Sequence, residues 1–353
     1  MTSPGGRPTL AVVGATGAVG TVLLSLLSAR KDIWGEIRLS ASRRSAGKFL
    51  SVRGQRSEVR LLEGSVLDGA DVVVFDVPPA VSAQWAPIAA ARGAVAVDNS
   101  SAFRLDPDVP LVVPEVNAGD VADRPRGIVS SPNCTTLAMI VPLAALHREF
   151  GLRELVVSGY LAASGEGQAG IAALHDQLAK VALQPGLGGI AGGVRRAAGD
   201  SLGPFPAPLA MNVVPWSGTA RAGGWTSEEL AVRDEARKIL GLPGLRVSVT
   251  CVRVPVVTAH SLSVHAVFDR EITQDRAQQV LSGAPGVVLY DDPAEGEFPT
   301  PADVVGTDPT WVGRVRRSLD DPHALDLFVC GDNLRKGAAL NTLQLAELVA
   351  AAL

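Results

Sequence analysis

Residues 8–14 read PTLAVVG, an apolar, β-branched run that stops at a glycine, and apolar positions then recur at helical spacing through Val22, Leu23, Leu24, Leu26 and Leu27. This switch of period predicts a strand, a turn over Gly14-Ala15-Thr16-Gly17-Ala18-Val19-Gly20, and a helix. Short apolar runs return at Ile37–Ser40, Asp71–Phe75 and Ala94–Val97, separated by loops or by the helical stretch Ala83–Ala91. Strands alternating with helices predict a parallel, doubly wound sheet, so the expected fold class is α/β. From Cys134 the pattern changes to a long helix ending near Phe150, a strand at Leu155–Val157, and strands at 246–255 and 261–268. The stretches GLGGIAGG at 186–193 and GPFPAPLAMNVVPWSG at 203–218 predict long connections packed over a second, antiparallel α+β region. The Ala/Leu-rich end, Ala338 to Leu353, has helical spacing and is expected to pack back onto the first region.

Composition narrows the class. With 353 residues, 47% of them apolar and 19% charged, the chain has the make-up of a globular protein with room for two domains. The 36 acids and 32 bases leave a net charge of -4 with no long run of either sign, which gives no electrostatic footprint for nucleic acid or an anionic membrane. The start, Met1-Thr2-Ser3-Pro4-Gly5-Gly6, lacks the apolar core of a signal peptide, and no apolar run is long enough to span a bilayer. A cytoplasmic location is expected. Cys134, Cys251 and Cys330 are widely spaced with no C-x-x-C pair, so free thiols are expected rather than a disulfide framework or a metal site.

The glycines of GATGAVG are spaced G-x-x-G-x-x-G, which lets the backbone turn tightly and approach a pyrophosphate at the N-terminus of the following helix. The same spacing also serves an ordinary strand-to-helix turn. After the second strand the chain reads Ser42-Arg43-Arg44-Ser45-Ala46-Gly47-Lys48, with cations, hydroxyls and no acid. That set suits a 2′-phosphate, hence NADP rather than NAD, against the plainer reading of a solvated basic loop. In SPNCTTL, Cys134 falls in the first turn of a helix, where unpaired amides and the helix dipole favour a thiolate, and Asn133 adds a side-chain donor. A cysteine so placed also serves as a buried filler.

A thiolate needs a base, and His260 in RVPVVTAHSLSV, beside Arg253 and between two β-rich runs, is the best of five histidines. His147 and His323 read as surface residues, and His175 and His265 as core or surface. Arg104 ends DNSSAFR just beyond a strand, where a doubly wound sheet places its ligands. Arg104 and Arg253 together suit the two ends of a dianionic substrate.

The blocks GATGAVG, ASRRSAGK, VDNSSAFR, VVPEVN, SPNCTT, ASGEGQAG, TCVRVPVVTAHS and GDNLRKGAALNT occur in an order and spacing that resembles bacterial aspartate-semialdehyde dehydrogenase over essentially the whole chain. The resemblance implies a Rossmann-like NADP-binding domain, residues 1–132 and 334–353, and a central α+β catalytic and dimerisation domain, residues 133–333. It implies reduction of β-aspartyl phosphate by NADPH to aspartate semialdehyde, NADP and phosphate, within lysine, threonine and methionine biosynthesis. Cys134 would be the nucleophile of a thioester intermediate and His260 the general acid/base. Arg253 would hold the substrate α-carboxylate, supported by Glu228, while Arg104 and Asn133 would hold phosphate. Gly14, Thr16, Gly17, Ala18, Val19, Ser42, Arg43, Arg44 and Ser45, with Ser164, Gly165 and Asn333, would form the NADP site. A homodimer is implied, and no metal.

Three places depart from that family's pattern. Leu161 stands where a glutamine orients the acyl group, and Ala231 where a lysine reaches the phosphate. Asp76-Val77-Pro78-Pro79-Ala80 replaces a Ser-Ala-Gly-Gly-Ser type of turn against the cofactor. Two alternatives therefore stand beside the main reading: a divergent paralogue acting on a different semialdehyde or acyl phosphate, and a scaffold or regulatory homologue with little turnover.

Overall fold

The computed structural model describes residues 6–30 and 32–353, so the first five residues of the start read above lie outside it. The chain divides into two compact units: the chain up to Asn133 with Lys238–Gly241 and Gly337–Leu353, and Cys134–Arg237 with Leu242–Lys336.

The first unit is built on seven strands: β1 (Leu10–Val13), β2 (Ile37–Ala41), β3 (Phe49–Val52), β4 (Gln55–Leu61), β5 (Val72–Phe75), β6 (Val95–Asp98) and β7 (Ile128–Ser130). Their order is β3-β4-β2-β1-β5-β6-β7, with every pairing parallel except the β3–β4 hairpin. The strands read as unbroken apolar runs because both faces are covered. Leu10, Val12, Val72 and Val74 pack with Leu23 and Leu27 of the helix Ala18–Ala29 and with Leu343 and Val349 of the helix Leu340–Ala351. Ala11, Val13, Val73 and Phe75 face the other way, toward Ala86 and Ala89 of the helix Pro79–Ala91.

The second unit contains β8 (Leu152–Leu161), β9 (Arg246–Arg253), β10 (His260–Phe268), β11 (Val287–Leu289), β12 (Thr310–Arg317) and β13 (Ala324–Gly331), in the order β11-β12-β13-β10-β8-β9. The expected antiparallel sheet is in fact mixed, because β8 pairs β9, and β11 pairs β12, in parallel. Helices Gly167–Val181 and Ser227–Leu240 lie in the long passage from β8 to β9, and a crossover of that kind is what parallel neighbours require. One face of the sheet carries the helix Cys134–Phe150, which packs on β8, β10, β12 and β13. The glycine- and proline-rich connections form short helical turns and a small core around Leu174, Phe205, Leu209 and Val214.

The β3–β4 hairpin escaped the apolar pattern because QRSEVRL keeps only Val59 buried. Its signal is Arg53-Gly54, both at positive φ, as a two-residue hairpin turn of the primed type requires. His147 is half-buried rather than a plain surface residue: its Nδ1 accepts the Leu152 amide at 2.9 Å, beyond the end of its helix.

Gly14 is where sequence and packing bind each other most tightly. It has φ of 102°, and a Cβ there would sit 2.0 Å from the Asp76 carbonyl oxygen. Gly14→Ala is therefore expected to lower unfolding free energy by about 2–3 kcal/mol, measured by urea denaturation; a wild-type midpoint would mean that β1 and β5 do not close on the turn this way.

Candidate active site

Cys134 is the first residue of a 17-residue helix and is half-buried, whereas Cys251 and Cys330 are buried. Its Sγ lies 3.3 Å from His260 Nε2. The other ring nitrogen, Nδ1, accepts the Ala162 amide at 3.1 Å. An acceptor at Nδ1 leaves the proton of a neutral imidazole on Nε2, directed at the sulfur. Burial, and then the charge of Arg253, lower the His260 pKa to about 3, so the ring is neutral at ordinary pH. The arrangement thus offers Sγ a hydrogen-bond donor and the positive end of a helix, and both stabilise negative charge on sulfur.

His260 is held from behind. Ala259 adopts φ of 81°, rare for a residue with a Cβ, and its amide donates to Asn333 Oδ1 at 2.9 Å. That bond fixes the Asn333 amide so that Nδ2 donates to Ser164 Oγ at 2.9 Å. Both side chains are buried, so the structure uses Ser164 and Asn333 to set the residue before His260.

Arg253 is buried at the end of β9, its backbone paired in both directions with Val214 of the proline-rich connection. Its guanidinium donates to the Ala162 carbonyl at 2.9 Å and to Glu166 Oε1 at 2.5 Å. Gly165 permits this approach, since a Cβ there would be 2.4 Å from Nη1. Arg253 Nε is buried and has no partner among the described residues, which leaves a donor free for an anion. The carboxylate paired with Arg253 is Glu166, which no motif singled out. Its one sequence signal was its place inside ASGEGQAG. Glu228 accepts from Thr135 Oγ1 at 2.5 Å, beside the cysteine. Leu161 is wholly buried, and Ala231 is half-buried one helical turn beyond Glu228.

In the first unit, Arg104 donates to the carbonyls of Asn99, at 2.7 Å, and Ser131, at 2.9 Å, tying together the ends of β6 and β7; Asn133 is half-buried. Lys238 went unnoticed in the sequence. Its Nζ donates to the carbonyls of Arg104, Asp106 and Val109 at 2.7–2.9 Å, which fixes the loop that presents Arg104.

The nucleotide features lie together in this unit. Gly14, Thr16, Gly17, Ala18 and Val19 are partly exposed, and the amides of Ala18 and Val19 open the helix without carbonyls one turn back. A Cβ at Gly20 would lie 2.3 Å from the Gly14 carbonyl oxygen, so the turn has the tight cradle a diphosphate needs. Ser42, Arg43 and Arg44 are exposed and Ser45 is buried, in a turn closed by the Ser45 amide on the Ser42 carbonyl. Neither guanidinium has an ion pair or hydrogen bond within the described residues. The residues present fit a dinucleotide. Among the described residues no group of His, Cys, Asp and Glu could hold a metal ion, and no helix is long and apolar enough to cross a membrane.

Two family descriptions match the chain: semialdehyde dehydrogenase, NAD binding domain, over residues 9–124, and semialdehyde dehydrogenase, dimerisation domain, over residues 143–336. The aspartate-semialdehyde dehydrogenase of Corynebacterium glutamicum is 47% identical over 349 residues, covering 97% of this chain and 99% of its own. That of Bacillus subtilis is 38% identical over 343 residues, covering 96% of each. The crystal structure of Vibrio cholerae aspartate semialdehyde dehydrogenase II complexed with ASA superposes with a TM-score of 0.89 at 36% identity, covering 97% of this chain and 98% of that one.

The surroundings of the three thiols differ enough to separate them chemically. Burial pushes the Cys251 thiol far up and Cys330 up to about 11, whereas Cys134 is reachable and faces a donor. Iodoacetamide should modify Cys134 at least about 100-fold faster than the others near neutral pH. Because His260 is already neutral, the labelling profile should show no imidazole step above about pH 5; equal rates, or a step near the ordinary histidine pKa, would contradict this geometry.

Proposed function

The chain belongs to the aspartate-semialdehyde dehydrogenase family, whose members are oxidoreductases acting on an aldehyde group, and from that premise we propose that it reduces β-aspartyl phosphate with NADPH through a thioester on Cys134. The observation that carries this reading is the 3.3 Å contact between Cys134 Sγ and a neutral His260 Nε2–H. The thiolate attacks the acyl carbon, the C–S bond forms, the C–O bond to phosphorus breaks, and phosphate leaves. When bound, the dinucleotide supplies the hydride that reduces the thioester carbonyl. The resulting oxyanion collapses to the aldehyde and expels the thiolate.

In this direction no step needs His260 to gain or lose a proton. Its task is to donate a hydrogen bond to whichever atom holds the negative charge, sulfur or oxygen, and a neutral ring with Nε2–H is suited to that. In the reverse direction the same Nε2–H would stabilise the oxyanion that forms as the thiolate adds to the aldehyde. Arg253, with its unspent Nε, would hold the substrate α-carboxylate, with Glu228 beside the acyl site, and Arg104 and Asn133 would hold the phosphate. Arg44, with Arg43, would select NADP through the 2′-phosphate. The first unit would serve the nucleotide and the second catalysis and dimerisation, in the cytoplasm.

The test is an NADP-reduction assay with aspartate semialdehyde and phosphate, run beside related semialdehydes. Cys134→Ser should abolish turnover while leaving the fold intact. His260→Ala should lower kcat by about 10²–10³-fold, and His260→Gln, which keeps an N–H donor, should lose less. Full activity in Cys134→Ser would end the mechanism.

A second copy of the chain is the proposed partner. On β8, Leu155 and Val157 face the core while Val156 and Tyr160 are 44% and 38% exposed, and Tyr160 stacks on Phe328 at 6.4 Å between ring centroids. An exposed apolar sheet face supports self-association. Sedimentation should show a dimer, and Tyr160→Asp should shift it toward monomer; a monomeric wild type would remove this proposal.

A further inference from the structure

Asp76 brings a carboxyl group to a turn whose own residues, 14–20, carry no charge. Its backbone N–H donates to Val13 at 2.8 Å, extending the β1–β5 pairing by one residue beyond Phe75. Its carbonyl closes on Gly14, and its Oδ2 lies 3.5 Å from where a Cβ on Gly17 would be. Asn99, just past β6, holds the other oxygen at 3.0 Å. The carboxyl group is therefore fixed against the glycine turn at the carboxyl edge of the sheet, the edge where such sheets bind ligands. Pro78 and Pro79 follow, and neither has an amide to offset the charge.

We propose that Asp76 sets the affinity for the dinucleotide and couples binding to a proton: the diphosphate enters the glycine turn when the Asp76 carboxyl is neutral, so the protein takes up one proton from solvent as the cofactor binds. This deepens the reading that the glycine turn holds the diphosphate, and rests on it. Two negative groups on one turn repel, and removing water strengthens the repulsion. Burial, the dominant influence, already holds the Asp76 carboxyl above the ordinary carboxylate range, and the nearby Asp98 adds to this, while Asn99 and the Gly20 amide act in the opposite sense. Asp98, at the end of β6, is the titratable group facing it. Residues 14–20 and the start of the helix Pro79–Ala91 carry none. Asp98 is itself held by Ser82 and Ser100.

The sign follows directly. Affinity should be greatest at low pH and fall as pH rises through the raised pKa of Asp76. Titration calorimetry with NADP and with NAD, which lacks the titrating 2′-phosphate, reads this without turnover when run in two buffers of different ionisation enthalpy from about pH 5.5 to 8.5. For wild type the expected result is proton uptake and a loss of affinity that approaches about tenfold per pH unit above the raised pKa of Asp76. Asp76→Asn keeps an acceptor for Asn99 and should bind both cofactors more tightly at the alkaline end, with that pH dependence gone. Asp76→Ser should behave alike, which covers a folding defect in either variant. Arg44→Ala should weaken NADP alone, which tests the nucleotide reading separately. If Arg44→Ala behaves so while both Asp76 variants match wild type, or bind more weakly at every pH, the role of Asp76 is overturned. If wild type binds neither cofactor at any pH, the nucleotide reading falls and the inference with it.

Discussion

The hydrogen bond from the Ala162 amide to His260 Nδ1 is the constraint on which the catalytic unit turns. It decides which ring nitrogen carries the proton, and so decides that Nε2 faces Cys134 as a donor. The backbone sets it up: β8 and β10 pair from Ser261 opposite Tyr160, so the register brings Leu161 level with His260 and leaves Ala162 one residue beyond it. Ala259 must then turn through positive φ to deliver His260 into β10, and the buried Asn333–Ser164 pair holds that turn. Two residues expected at a cofactor thus have a demonstrable task in the protein frame, fixing an imidazole whose position sets the chemistry.

The same buried environment treats its two basic groups in opposite ways. His260 faces a sulfur and an amide, receives no carboxylate, and surrenders its charge to burial and to Arg253. Arg253 is paired with Glu166 and the Ala162 carbonyl, and a guanidinium does not deprotonate in proteins. Ala162 therefore serves both groups, giving its N–H to one and its carbonyl to the other. A shift of this one residue would disturb the donor facing Cys134 and the guanidinium of Arg253 together.

How much of this could be read from the sequence follows from what each residue answers to. The nucleotide half was legible because β1, β5 and β6 are covered on both faces and leave unbroken apolar runs, and because Gly14 and Gly20 occupy places no Cβ can enter. Cys134 and His260 stood out through chemistry and motif, although 126 positions apart. Glu166, Lys238 and the Asn333–Ser164 bond were beyond reach, since each acquires its partner only when distant strands and loops fold together. The parallel β8–β9 pairing was hidden by the long passage that forms the crossover, and the β3–β4 hairpin by its polar surface.

Leu161 and Ala231 raise the question of whether this frame still serves catalysis, and the frame bears on the answer through its own costs. A non-glycine residue at positive φ costs about 1–3 kcal/mol, and Ala259 accepts that strain directly before the histidine. A buried donor left without a partner costs about 1–3 kcal/mol, and Arg253 Nε is such a donor. Either liability could be removed by a small change: glycine at 259, or a shorter, neutral residue at 253. A structure needed only as a scaffold gains nothing from them. Strain directly before His260 and an unspent donor on Arg253 are what a site tuned to hold a substrate anion would require. With Leu161 wholly buried and Ala231 offering only a methyl group one turn from Glu228, the proposed recognition in this unit would rest on Arg253. On the proposed mechanism the two residues would alter how the acyl group is received, while the contact between Cys134 and His260 remains in place.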